Sequence, residues 1–229
     1  MCGRFVKKSS KEELRKRFGF DDPSQGVLLE PHYNIAPSQE HPILIVSQDR
    51  RILRMMKWGL VPYWSKDPKI GYKMINARSE GIEEKPSFKT PLKRKRCIVM
   101  ADGFYEWHKP DKKTKTPYYF RLKSTEPFAM AGLWDLWDKG DQILKTFTII
   151  TTSPNELMEP IHNRMPVILN ERDEARWLDP EIPNPQDVLP LLKPYPSKEM
   201  DFFKVSTIVN SPKNDIPECI TAIDITAVE

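Results

Sequence analysis

Cys97-Ile98-Val99-Met100-Ala101-Asp102-Gly103-Phe104-Tyr105-Glu106-Trp107-His108 is the stretch on which the fold turns. β-Branched and aromatic residues fill both halves, as suits a pleated, half-buried surface. At its centre Asp102-Gly103 predicts a bulge or bend, because glycine inside a strand pattern marks a break in regular pairing. Downstream, the lysine-rich segment 109–116 turns the chain into a strand over 118–122. Two further strands are expected over 128–137 and 143–151, joined at 138–141. Upstream, the apolar runs 43–46 and 52–58 flank the polar 47–51 and read as a hairpin. Short strands are also expected over 3–7, 167–169, 202–207 and 220–227.

Helical signals are sparse. Ser10-Lys11-Glu12-Glu13 is a capping box ahead of Leu14 and Phe18, which stand on one helical face. A short helix is expected over 76–84, and Asn170 can cap another running through Trp177. Residues 155–160 carry at most a turn or two, and 186–192 form a further short helix. Residues 31–37 read as a proline-bounded loop and 58–64 as an aromatic loop. The class implied is α+β, mainly antiparallel β with several short helices. No repeat or low-complexity linker interrupts it, and apolar residues thread the proline-rich 180–196, so residues 1–229 are expected to form a single domain.

Bulk properties exclude more than they select. With 229 residues, 39% hydrophobic and 30% charged, the chain has ample material for a core. Proline at 22 against glycine at 9 points to turns set by proline. A net charge of +4 is compatible with a polyanionic partner without requiring one. No apolar run reaches the length of a membrane-spanning helix, and no signal-peptide pattern opens the chain. The three cysteines form no C-x-x-C pair, which argues against a disulfide scaffold or zinc ribbon. A reducing, cytoplasmic location fits better, nucleoid-associated if the source is bacterial. Glycine-rich nucleotide loops, G-x-S-x-G and H-E-x-x-H are missing, and the four histidines have irregular spacing. Neither a metal nor a cofactor is expected.

Cys2 is the unusual feature. Initiator methionine is generally trimmed before a small residue, which would leave an amine and a thiol on one residue. Their reference pKa values are about 8 and about 8.5. A 1,2-aminothiol of this kind closes on an aldehyde to give a five-membered thiazolidine. By position alone, an inert N-terminal cysteine is the plainer reading.

Met1-Cys2-Gly3-Arg4-Phe5, Tyr33-Asn34-Ile35-Ala36-Pro37, Trp58-Gly59-Leu60-Val61-Pro62, Ile75-Asn76-Ala77-Arg78-Ser79-Glu80, Ala101–Trp107 and Ile161-His162-Asn163-Arg164-Met165-Pro166 follow in this order. Together they resemble the SOS-response-associated peptidase (SRAP) family, the abasic-site processing proteins, from residue 2 to about residue 215. The resemblance implies a partly open barrel core and a protein that crosslinks covalently to abasic sites in single-stranded DNA. It implies Cys2 as the nucleophile, Asn76 as the holder of the N-terminus, Glu106 as proton shuttle and His162 as the aid to sugar ring opening. Arg4, Arg78, Arg164 and Thr151 would lie near the DNA backbone, with Pro37 in a wedge between bases. Asn163 departs from the family's usual aspartate. The chain ends at Glu229 without the tail of some eukaryotic relatives, so a stand-alone monomer is expected.

The residues themselves allow plainer roles. Asn76 could be a helix cap, Glu106 could face solvent and His162 could be a satisfied core histidine. Trp64 reads either as core or as a base-stacking platform. The tetrad Lys93-Arg94-Lys95-Arg96 reads as a solvated loop, Lys112, Lys113 and Lys115 as decoration of a hairpin tip, and Cys97 and Cys219 as buried bystanders. A thiol peptidase acting on its own N-terminus and a non-catalytic single-strand-binding module stand as alternatives, with β-elimination at the abasic site as a side reaction.

Overall fold

Asp102 divides the deciding stretch between two sheets. The computed structural model describes residues 2–21, 27, 29–111 and 114–223. In chain order the strands are β1 (Phe5–Lys7), β2 (His32–Ile35), β3 (Glu40–Ser47), β4 (Arg50–Trp58), β5 (Asn76–Arg78), β6 (Arg96–Ala101) and β7 (Gly103–His108). They continue with β8 (Thr116–Leu122), β9 (Phe128–Asp138), β10 (Ile143–Thr152), β11 (Met165–Pro166), β12 (Ile168–Leu169) and β13 (Met200–Lys204). Helices α1 (Lys11–Phe18), α2 (Pro86–Arg94) and α3 (Glu171–Leu178) accompany them, with several 3-10 turns.

The first sheet runs β13-β8-β7-β1-β2 and is antiparallel throughout. In the second, β3 pairs with β4 and β6, β6 with β9, β9 with β10, and β10 returns to β4. The pairings therefore close a ring, which leaves few strand edges open. Its seams are narrow: β3 and β6 meet at Leu44 and Ile98, and β4 and β10 run parallel through Lys57–Thr146 and Trp58–Phe147. The α+β, mainly antiparallel architecture is as the sequence implies.

Two devices make the bend between β6 and β7. The Asp102 carboxylate accepts hydrogen bonds from the backbone N–H groups of Lys8 (2.6 Å) and Ser9 (3.0 Å) and from the Ser9 hydroxyl. At Gly103 any Cβ would run into the Tyr119 ring, which is itself buried. Only glycine allows β7 to lie this close to β8.

Strand periodicity then sorts the core. Cys97, Val99 and Ala101 pack with Phe5, Phe104, Phe120 and Phe147, forming a layer shared by both sheets. Ile98 and Met100 face the other way and pack with Leu14 and Phe18 of α1, Phe88 and Leu92 of α2, and Trp177 of α3. Each such side chain contributes about 1.5–3 kcal/mol on burial. The capping box at Ser10 is formed, and Gly19, with φ 61°, ends α1 in the left-handed region.

Several local expectations are corrected. Residues 76–84 are not a helix: β5 occupies the start, parallel to β10, and turns follow. Within 31–37 lies β2, on the edge of the first sheet, where flanking prolines are tolerated. Residues 186–192 form 3-10 turns, and α2 arises where no helix was expected. The tetrad 93–96 is not a solvated loop. Arg96 is buried and donates to the carbonyls of Trp177 and Leu92, while Lys95 pairs with Asp135 at 2.5 Å. Of the strand expected over 220–227, only a bridge between Val205 and Ala222 is seen, and residues 224–227 lie outside the described residues. Among the described residues no helix is long and apolar enough to cross a membrane.

Candidate active site

Alternation along β7 explains why Glu106 is buried. Phe104 faces the layer between the sheets, Tyr105 the opposite face, and Glu106 returns to the layer at only 4% exposure. The reading of Glu106 as a solvent-facing residue is therefore wrong. On the other sheet, β5 aligns Asn76 with Ile149 of β10, and Ile149 belongs to the same layer. Asn76 is thus a strand residue and not a helix cap. Cys2, fully buried, sits in this layer just ahead of β1.

These residues converge. Asn76 donates from Nδ2 to the Cys2 carbonyl at 2.8 Å. Its Oδ1 is buried and has no hydrogen-bond partner among the described residues. His162 Nε2 lies 3.8 Å from Glu106 Oε2, and its Nδ1 faces the Arg164 backbone N–H at 3.0 Å. Nδ1 also lies 3.1 Å from the Arg164 carbonyl oxygen, so the Arg164 backbone fixes this side of the ring while Nε2 faces Glu106. Glu106 and His162 line one cleft of about 580 Å³ with Ile75, Trp107, Lys109 and Lys115. His162 borders this cleft and is not a core histidine.

Burial sets the protonation states. It holds the Glu106 carboxyl up at about 7, and it draws the His162 pKa down. Burial, reinforced by Glu106, pushes the Cys2 thiol far above its ordinary range, so it is protonated at neutral pH. The 3.8 Å separation and these directions make Glu106 and His162 a proton-sharing pair more than a salt bridge. Near pH 7 the Glu106 carboxyl is partly protonated and burial biases His162 toward its neutral imidazole, a condition for exchanging protons with a substrate.

The other predicted residues are less uniform. Arg164 forks onto Glu80 at 2.7 and 2.9 Å and donates to the Thr151 carbonyl at 2.6 Å. Thr151 is buried, with a hydroxyl that has no partner among the described residues, and it aligns with exposed Arg78 across β10 and β5. Arg4 donates to Asn34 Oδ1 (2.6 Å) and the Val209 carbonyl (2.9 Å), and its guanidinium lies over the Trp107 ring. Internal bonds thus occupy part of Arg4. Trp64 is 44% exposed and borders a separate hollow with Lys66, Lys69 and Lys73. It is not a core residue. Pro37 lies between β2 and β3, next to Ser38, whose N–H is bonded to the Trp58 carbonyl. Cys97 and Cys219 are buried free thiols. Among the described residues no group of His, Cys, Asp and Glu is arranged to hold a metal ion.

Sequence reasoning passed over Glu80, Trp107 and Lys109. The signal for Lys109 lay in hairpin register, which pattern reading does not supply.

A cysteine, an amide and a carboxylate–imidazole pair at the seam of two sheets make a thiol site in an α+β frame. The family model described as SOS response associated peptidase (SRAP) matches residues 1–212, and the chain belongs to that family. It is 49% identical over 221 residues to the abasic site processing protein YoqW of Bacillus subtilis (strain 168), spanning 96% of this chain and 99% of that one. To the abasic site processing protein HMCES of Xenopus tropicalis the identity is 35%, over 99% of this chain and 79% of the relative. The X-ray structure of a protein from Bacteroides thetaiotaomicron matches with a TM-score of 0.86 at 31% identity, over 97% of this chain and 100% of that one.

Proposed function

We propose that the protein senses and processes abasic sites in single-stranded DNA, forming a covalent thiazolidine through Cys2 once Met1 is removed. The observation that carries this reading is the hydrogen bond from Asn76 to the Cys2 carbonyl beside Glu106 and His162. Relatives named for abasic-site processing support it. Opening the cyclic sugar hemiacetal frees its aldehyde and needs a proton given at one oxygen and taken at another. A neutral imidazole and a carboxyl that titrates near neutrality suit that exchange.

The Cys2 amine then adds to the aldehyde carbon, and loss of one water leaves an imine. The thiol adds to the imine carbon, its proton passing by way of Glu106 to the nitrogen, and the five-membered ring closes. Net, one C–N and one C–S bond form and one water leaves. Asn76 fixes the backbone of Cys2, and its Oδ1 is an acceptor for the new amine. Exposed Arg78 holds phosphates on one side, supported by buried Thr151 beside it and by Arg164, and Trp64 and Pro37 part the bases, with Arg4 supporting Trp107. Phosphate contacts position a strand without reading its sequence, as a sensor of a missing base requires.

Purified protein mixed with single-stranded DNA carrying one abasic site should give a covalent band on a denaturing gel. No such band from protein with a free Cys2 terminus, or an undiminished band from Cys2→Ala, overturns the reading. Salt-sensitive binding without a covalent product would instead mark a binding module. The imine also permits strand cleavage by β-elimination as a minor activity. Removal of its own Met1 with Cys2 as nucleophile is a second reading, resting on the same cysteine, carboxylate and imidazole. Loss of Met1 from Cys2→Ala, read by intact mass, eliminates it. The working form is a monomer, to be checked by light scattering.

A further inference from the structure

The β7–β8 hairpin places two lysines where their charges oppose. Register pairs Trp107 with Pro117 and His108 with Thr116, so the next facing positions are Lys109 and Lys115. Like charges directly opposite each other in a hairpin repel. Both lysines nonetheless line the cleft that holds Glu106 and His162. Lys115 is also held there, its Nζ 4.6 Å from the centre of the Trp107 ring, while Arg4 lies over the same ring at 5.7 Å. Burial, then the charges of Lys109 and Arg4, draw the Lys115 pKa down, the mark of a crowded cationic rim. Among the described residues the titratable groups lining the cleft are thus Lys109, Lys115, His108 and His162, with Arg4 at the Trp107 ring, against the acid Glu106.

We infer that Lys109 and Lys115 form a clamp at the cleft mouth for a backbone phosphate adjacent to the abasic sugar. This rests on the abasic-DNA reading. A phosphate between the two ammonium groups relieves their repulsion, and its position beside Glu106 and His162 keeps the sugar over the acid–base pair. The clamp lies on the hairpin, whereas Arg78, with Thr151 and Arg164 supporting it, belongs to the other sheet. A strand held by both sets has the lesion fixed from two sides. Of the lysines expected to decorate the hairpin tip, Lys115 instead lines the cleft, and Lys112 and Lys113 lie outside the described residues.

The test measures crosslinking rates of wild type, a Lys109→Gln/Lys115→Gln double variant and a Lys109→Arg/Lys115→Arg double variant. The substrate is a single-stranded oligonucleotide with one abasic site, varied in concentration and in salt. In the glutamine pair the half-saturating DNA concentration should rise about fivefold, and the salt slope should flatten by about 0.7 for the lost phosphate. The arginine pair should restore both. A neutral methylphosphonate on one flank of the lesion should weaken wild type and leave the glutamine pair unaffected.

Unchanged concentration dependence and salt slope in the glutamine pair overturn the clamp. So does a loss confined to the maximal rate with a displaced pH profile, which would mean that the lysines only tune Glu106. No covalent product from wild type sinks the abasic-DNA reading itself.

Discussion

Asn76 Nδ2 stands 2.8 Å from the Cys2 carbonyl oxygen, so a three-residue strand in one sheet holds the first described residue of the chain. Removing that donor should leave the fold intact and the reaction misaligned. Asn76→Ala is expected to slow crosslinking by about 100-fold, the scale of an ångström-sized misplacement. Asn76→Asp, which presents an oxygen to the carbonyl, should be no better. Single-turnover gels measure both, and a wild-type rate in either removes Asn76 from the mechanism.

Glu106 couples chemistry to stability. Its folded pKa of about 7 lies above the roughly 4.3 of an unfolded glutamate. Between those values the folded state binds a proton that the unfolded state releases, so stability falls as pH rises through this window. The penalty is absent below about pH 4 and complete above about pH 7. Glu106→Gln should therefore stabilise the protein at alkaline pH by about 1–3 kcal/mol, with little effect in acid. Crosslinking should drop by about a hundredfold or more. Thermal melts across pH, paired with crosslinking assays, check this, and equal melting shifts at both extremes contradict it.

The fork between Arg164 and Glu80 ties the segment carrying His162 to the turn after β5. Glu80 is largely exposed, so the pair is worth less than a buried one. Glu80→Ala should cost about 0.5–1 kcal/mol in urea unfolding and slow crosslinking by a similar free energy. Retention of both values would make the fork incidental.

Asp135 anchors the aromatic loop. Almost fully buried, it accepts from the Tyr63 N–H at 2.9 Å and from Lys95 Nζ at 2.5 Å. Asp135→Asn should destabilise the fold by about 2 kcal/mol and loosen residues 62–65. Binding of undamaged single-stranded DNA, followed by fluorescence anisotropy, should weaken more than the maximal crosslinking rate does. The reverse pattern would separate Trp64 from the DNA.

Local signals were legible where local physics decides the outcome. Ser10 and Glu13 cap α1 as written, the polar turn between the runs at 43 and 52 makes the β3–β4 hairpin, and Asp102-Gly103 bends the chain. Asn76 misled because Asn-Ala-Arg has ordinary helical composition, and its strand state depends on pairing with Ile149, more than seventy positions away. Arg96 misled because a cation in a basic run looks solvated, yet three backbone carbonyls from α2 and α3 take its guanidinium inside. For the site, the motifs named Cys2, Asn76, Glu106 and His162 together. Burial of Glu106 followed only from knowing which face of β7 meets the second sheet.

Because β6 and β7 are one segment shared by two sheets, the spacing of the reactive groups is a property of how those sheets are docked. Cys2 and Glu106 travel with the first sheet and Asn76 with the second. A relative could keep every reactive side chain and still lose its activity through a slight shear at Asp102. Substitutions at Ser9 or Tyr119, outside the six motifs, would act as silent misalignments that a comparison of motifs alone would never flag.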